Sequence, residues 1–146
     1  MELIVLCGAS GSGKTTLSKE MAKEYKLVRI SMDEMKLFLH SDLLPMVAES
    51  LKKSESLVVD ALYTKLKWRM DILEATKDFQ GERILIYLNT SLDECLRRNS
   101  ERENAFPDFV IKDIYNSIEP PSLDEGWDKI IYVKEGENIE VNFTSD

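Results

Sequence analysis

Gly8, Gly11 and Gly13 stand ahead of Lys14 and Thr15, spelling G-x-x-x-x-G-K-[ST] over residues 8–15. Glycines let such a loop turn tightly, so that successive N–H groups point inward at phosphate oxygens and a following helix N-terminus adds partial positive charge. Lys14 would neutralise the β- and γ-phosphates, and the Thr15 hydroxyl would complete the coordination of a Mg²⁺ ion bridging them. Gly8, Ala9, Ser10, Gly11, Ser12, Gly13, Lys14, Thr15 and Thr16 are the candidate nucleotide contacts. The chemistry implied is binding of ATP or GTP with Mg²⁺.

Two carboxylates and two arginines decide what is done with the nucleotide. Asp33 could accept the proton of an attacking hydroxyl, the base role in phosphoryl transfer. Its plainer reading is a first-turn aspartate facing a helix dipole. Asp60 ends an apolar run and suits the carboxylate that holds the hydration shell of Mg²⁺; a strand-ending turn residue is the alternative. Arg98 and Arg102 lie four apart before Pro107. Guanidinium forks fit phosphate oxygens, and a basic segment closing over the donor would stabilise charge and keep water out. A solvated helix end explains them otherwise, and Arg97 more so.

These residues need a scaffold, and the chain supplies alternating elements. Residues 3–7 are an apolar run that reads as a buried strand, and residues 14–25 read as a helix with Leu17, Met21 and Tyr25 on one face. A short strand at 27–30 leads to Ser31 and Glu34, spaced as a capping box, which predicts a helix to about His40. Asp42 and Pro45 open another, with Leu43, Leu44, Val47 and Leu51 as its apolar set. His40, the single histidine, reads as structural. Strand 57–60 precedes a helix over 65–79, where Trp68, Ile72, Ala75 and Phe79 repeat at helical spacing before Gly81. Strand 84–88 follows, and then Asn89-Thr90-Ser91 capping a helix that carries Leu92, Cys95 and Leu96. Pro107 suits the first position of a helix whose stripe is Val110, Ile114 and Ile118, ended by Pro120-Pro121. Residues 129–133 predict a fifth strand.

Near-continuous apolar strands alternating with helices predict an α/β fold: a five-stranded parallel sheet with helices on both faces. Right-handed crossovers put all strand C-termini on one edge, so the glycine loop, Asp33, Asp60 and the Asn89 region converge there. The predicted organisation is one domain over 1–133, with a short helical lid at about 97–107. A tail over 134–146 would add an edge strand through Ile139, Val141 and Phe143, or fray.

At 146 residues one domain with a sizeable core is expected, without disulfides or structural metal. Cys7 and Cys95 have no metal-ligand spacing and read as small buried residues. The strand at the very start leaves no room for a targeting leader, and no apolar run approaches spanning length, so a soluble cytoplasmic protein is expected. The net charge of −8 argues against a broad footprint for duplex nucleic acid. Lys65, Lys67, Trp68 and Arg69 could flank a single strand by phosphate contact and stacking, or form an ordinary amphipathic helix surface. A base-specifying Asn-Lys-x-Asp run of the GTPase kind is absent.

Residues 8–15, Ile30-Ser31-Met32-Asp33, Val58-Val59-Asp60, and Arg98-Asn99-Ser100-Glu101-Arg102 with Phe106-Pro107, taken in that order, resemble the 5′-kinase domain of phage polynucleotide kinase. Glu119-Pro120-Pro121 with Glu125-Gly126-Trp127 resembles the wider group of small P-loop kinases. The resemblance implies the three-layer P-loop NTPase fold, with Lys14 and Thr15 on ATP and Mg²⁺. It implies Asp33 as general base for an acceptor 5′-hydroxyl, Arg102 as lid arginine on the transferring phosphate, and Arg98 towards the nucleotide. The family's acceptor-gripping arginine is Lys36 here, which keeps charge but loses the bidentate fork.

Three functions follow as expectations. The first is an ATP-dependent kinase of a hydroxyl, with the 5′-OH of a DNA or RNA end as acceptor and Asp33, Lys36 and Arg69 facing it. The second is a kinase of a small nucleoside, sugar or antibiotic. The third is an ATP-dependent binding or regulatory module. Oligomeric state stays open.

Overall fold

In the computed structural model residues 1–134 are described; the tail, with Ile139, Val141 and Phe143, lies outside them. Five strands, β1 (Glu2–Cys7), β2 (Val28–Ser31), β3 (Leu57–Asp60), β4 (Glu82–Asn89) and β5 (Lys129–Lys134), form one sheet in the order β2-β3-β1-β4-β5. Every pairing is parallel. Between them lie α1 (Lys14–Tyr25), α2 (Leu44–Lys52), α3 (Leu66–Ala75), α4 (Leu92–Ser100) and α5 (Asp108–Asn116). The chain thus adopts the expected three-layer P-loop NTPase fold.

The period of two along β1 explains how both faces are covered. Leu3, Val5 and Cys7 pack with Val47 of α2 and Ile72 and Leu73 of α3. Ile4 and Leu6 pack with Met21 of α1 and Leu27 on the opposite face. A third, smaller cluster joins Ala9, Cys95 of α4 and Ile111 of α5. That last cluster seats the α4–α5 arm directly on the glycine loop. Both cysteines are buried, as their lack of ligand spacing suggested.

Three elements differ from expectation. The helix expected over 31–40 is a succession of turns. Its cap is half built, because the Glu34 amide donates to Ser31 Oγ at 3.3 Å. The Glu34 carboxylate, however, pairs with Arg29 at 2.8 Å instead of returning to the cap, and Lys36 sits at φ 56°, where an α-helix cannot continue. Helix α3 stops at Ala75 because the chain turns over residues 76–79, with the Phe79 amide on the Thr76 carbonyl, to bring β4 beside β1. In α5 the fully buried residue is Ile111, whereas Val110 and Ile114 face a cleft.

Candidate active site

Each strand ends where a chemical group is needed. β1 runs into the glycine loop, whose Gly11 and Gly13 take φ 85° and 106°, a region closed to most side chains. The loop is tied down from several sides: the Gly8 amide donates to the Leu62 carbonyl at 3.0 Å, and Thr90 Oγ1, just past β4, donates to the Ser12 carbonyl at 2.8 Å. Lys14 is buried and its Nζ donates to the Gly8 and Ala9 carbonyls at 3.0 and 2.9 Å. Burial pulls its pKa down, with Asp60 as the main opposing influence. The ammonium is therefore held inside the loop on weak neutral acceptors, ready to exchange them for phosphate oxygens.

Asp60 closes β3, buried, with three donors on one oxygen. Thr15 Oγ1 and Ser18 Oγ each reach Oδ2 at 3.2 Å, and Arg29 Nη2 reaches it at 2.8 Å. Arg29 also donates through Nε to Ser18 Oγ at 2.7 Å and through Nη1 to Glu34 at 2.8 Å. One guanidinium thus links the Asp60 carboxylate to the turn that carries Asp33. Among the described residues no trio of His, Cys, Asp or Glu gathers to hold a metal unaided. The hydroxyl of Thr15 and the carboxylate of Asp60 nevertheless form a hard oxygen pair at the foot of the loop, the donor set that suits Mg²⁺ when phosphates and water complete its shell.

A cleft of about 630 Å³ opens above these groups. Ser10, Gly11, Gly13, Lys14, Thr15 and Thr16 form its floor, Asp33 and Asp60 stand on one side, and Arg98 and Arg102 enter from α4 and the loop beyond it. Arg98 donates to Glu94 at 2.9 Å and to the Gly11 carbonyl at 3.2 Å, so it already spans arm and loop. Arg102 lies over the Phe106 ring at 5.4 Å. Arg97 turns to Glu94 and Glu101 on the surface. The buried Asn99 holds both ends of the connection between α4 and α5, donating to the Phe106 carbonyl at 2.7 Å and accepting from its amide at 3.1 Å. A hollow of about 780 Å³ between the ends of α2 and α3 and the start of β4 contains none of the candidate residues.

Residues 3–121 match the family of AAA domains designated AAA_33. The chain belongs to that family. Among curated relatives, this AAA_33 chain is 28% identical over 142 residues to the L-seryl-tRNA(Sec) kinase of Methanococcus maripaludis, with 86% of this chain and 56% of that protein covered. It is 24% identical over 158 residues to the protein kti12 of Schizosaccharomyces pombe, covering 90% of this chain and 56% of that one. The chain therefore spans just over half the length of these relatives. Among solved structures, a chain of the Pnkp1/Rnl/Hen1 RNA repair complex superposes with a TM-score of 0.69 at 19% identity, covering 80% of this chain and 43% of that one. At that identity the likeness is one of fold.

Several expectations for this AAA_33 domain are corrected by the side chains. Arg69, expected to face an acceptor strand, is 0% exposed. It forks onto Glu125 at 2.8 and 3.0 Å and donates to the Tyr63 and Glu119 carbonyls at 2.8 and 2.9 Å. A guanidinium with four such acceptors is a structural rivet between α3 and the segment before β5. Lys67 pairs with Asp71, and Trp68 turns inward, so residues 65–69 form no single basic and aromatic surface. Lys36 is exposed and is not among the residues lining the cleft. Ala9 packs in the core, and Ser12 Oγ is buried against Gly8, so neither side chain lines the cleft.

The sequence reading named Trp68 as a possible stacking residue but read His40 as structural and passed over Phe38. Phe38, His40 and Trp68 line the far half of the cleft. His40 stacks on Trp68, with centroids 4.0 Å apart and planes at 13°, and meets Tyr63 edge-on at 5.0 Å. Burial pushes the His40 imidazole down to about 4, so it is neutral at physiological pH. The 28-residue separation of His40 and Trp68 leaves no local signal. Only a registered β2–α2 connection could have paired them.

Proposed function

We propose that the protein is an ATP-dependent phosphotransferase that moves the γ-phosphate to a hydroxyl, with the 5′-hydroxyl of a nucleic acid end as the first acceptor class. The observation that carries this is the convergence on one cleft of Lys14 and Thr15 from the glycine loop and start of α1, Asp33 and Asp60 from the ends of β2 and β3, and Arg98 and Arg102 from α4 and the loop beyond it. Lys14 and the loop amides bind the phosphates. Arg98 adds charge over the loop, and Arg102, on a lid formed by α4, α5 and their connection, reaches the transferring group. Asp33 accepts the acceptor's proton as its oxygen bonds to the γ-phosphorus and the bond to ADP breaks. Thr15 and Asp60 would hold Mg²⁺, which when bound would supply positive charge against the phosphates.

The polynucleotide acceptor is supported by the Arg98 to Arg102 pattern, and a relative named L-seryl-tRNA(Sec) kinase supports an acceptor carried on RNA without pointing to its 5′ end. A second reading, a free small acceptor, is favoured by a specific observation. With Arg69 buried and Lys36 outside the cleft, the half beyond Asp33 lacks the cations that a strand's phosphates would want. The test is transfer of label from γ-labelled ATP with Mg²⁺ to a 5′-hydroxyl oligonucleotide. Label on the 5′ end, lost in Lys14→Ala and Asp33→Asn, is the result expected of the strand reading, and label on a free hydroxylated acceptor alone, lost in the same variants, is that expected of the second. ATP bound without transfer to any hydroxylated acceptor would overturn the phosphotransfer reading.

A further inference from the structure

The cleft is divided by charge. Its lining cations are Lys14, Arg98 and Arg102, and all three belong to the glycine loop or the arm that covers it. The remaining half is walled by Met32, Phe38, His40, Trp68, Val110 and Ile114 around the Asp33 carboxylate. Three of those six side chains are rings. Phe38 is 92% exposed, an aromatic group left uncovered at the mouth of the cleft. His40 Nδ1 is buried in the wall without a hydrogen-bond partner, although buried imidazole nitrogens are ordinarily satisfied.

A phosphate on the acceptor would sit here beside Asp33 and near Asp60 with no cation of its own, a costly placement in a partly desolvated cleft. A planar ring suits the wall, because every base has a face that can stack on an aromatic side chain without any charge.

We infer that the His40–Trp68 stack, with Phe38, is an acceptor subsite for an uncharged planar ring bearing the reactive alcohol, a free nucleoside, so that of the two acceptor readings above it selects the free small acceptor over the phosphorylated strand. The inference rests on the proposed phosphotransfer for its chemistry but not for its binding. Placed on this wall, the ring leaves its hydroxyl towards Asp33 and the γ-phosphate. Binding then depends little on ionic strength, in contrast to recognition through phosphates. The probe is uridine, whose pyrimidine differs from the adenine of the donor.

The experiment titrates uridine into the protein saturated with Mg²⁺ and β,γ-imido-ATP while following tryptophan fluorescence, with label transfer from ATP to uridine measured in parallel. A saturable change is expected in the wild type and not in Trp68→Phe, whose remaining Trp127 is buried against Glu125. Uridine 3′-monophosphate should bind about tenfold more weakly, and the uridine affinity should change less than about twofold between low and moderate salt. His40→Ser should raise the KM for uridine about tenfold with kcat nearly unchanged, and His40→Phe, which keeps a ring in the stack, should restore it. Transfer to uridine without any Trp68 response, or 3′-phosphate binding as tight as uridine, overturns the subsite and leaves the phosphotransfer reading standing. Saturable uridine binding without transfer to any acceptor supports the subsite and sinks the phosphotransfer reading. Turnover of an acyclic sugar acid such as gluconate, with no nucleoside response, overturns the subsite.

Discussion

Asp33 and Asp60 both follow a strand, yet their surroundings assign them different work. Asp60 is buried with Oδ2 committed to Thr15, Ser18 and Arg29, whereas Asp33 is exposed on the cleft wall. Replacing Asp33 by Asn should therefore lower kcat by about 100-fold or more while ATP affinity stays within a few-fold, as steady-state kinetics and nucleotide binding would show. Arg69 carries the opposite lesson. Its neighbours Lys65, Lys67 and Trp68 made a basic surface plausible, and only its distant partner Glu125, 56 residues on, makes it a core residue. Arg69→Met should cost about 3–5 kcal/mol by leaving the buried Glu125 carboxylate uncompensated, read as a lowered denaturation midpoint. Acid stability separates Glu125 from His40. Burial raises the Glu125 pKa, but the Arg69 and Trp127 hydrogen bonds outweigh it and the net shift is downward, so its stabilising contribution persists until the pH falls below its ordinary value of 4.5. His40 is depressed from 6.5 to about 4. The unfolded chain then binds the extra proton between these values, so stability is full above pH 6.5 and declines as pH falls towards 4. Thermal unfolding should show that decline, and His40→Gln should flatten it. An unchanged slope in the variant would remove His40 as the cause.

Elements were legible wherever one face is decided by local periodicity. The strands read as apolar runs because both faces of a parallel sheet are covered, and Ser91 caps α4 as its type suggests, accepting from the Glu94 amide at 3.2 Å. The helix expected after Ser31 failed for a non-local reason. Arg29 on β2 draws the Glu34 carboxylate away from the cap, and the turn so formed presents Asp33 to the cleft. A competing ion pair defeated a correct local signal. The α4–α5 connection depends on a single side chain in the same way. Asn99 grips both backbone groups of Phe106 and thereby shapes the loop that bears Arg102. Asn99→Ala should free residues 101–106, seen as faster amide exchange and protease cutting there, at a stability cost of about 1–3 kcal/mol. With Arg102 no longer held near the donor, kcat should fall more than ATP affinity, the split expected when a lid residue acts on the transferring phosphate.

At the scale of the whole molecule, the alternation of strands and helices was enough to place the functional turns along one edge, because parallel strands share a direction. The strand order, with β1 between β3 and β4, was not written in any local pattern. It is what sets Thr15 beside Asp60, since α1 leaves β1 next to the strand that ends in that carboxylate. Nucleotide and metal should accordingly bind only the assembled sheet, and a ligand that binds the folded state alone stabilises it by RT ln(1 + [L]/Kd), about 2.7 kcal/mol at one hundred times Kd. For a chain of this length that is a rise of roughly 5–10 °C in Tm. Saturating ATP with Mg²⁺ should produce this rise, and adding a chelator should remove most of it. Lys14→Ala should abolish the response. Asp60→Asn weakens the link between metal and fold while keeping the side chain's shape, so it should retain a response to ATP that no longer depends on Mg²⁺. A full Mg²⁺-dependent rise in that variant would detach Asp60 from the metal and leave it as the hub that holds Arg29, Ser18 and Thr15 together.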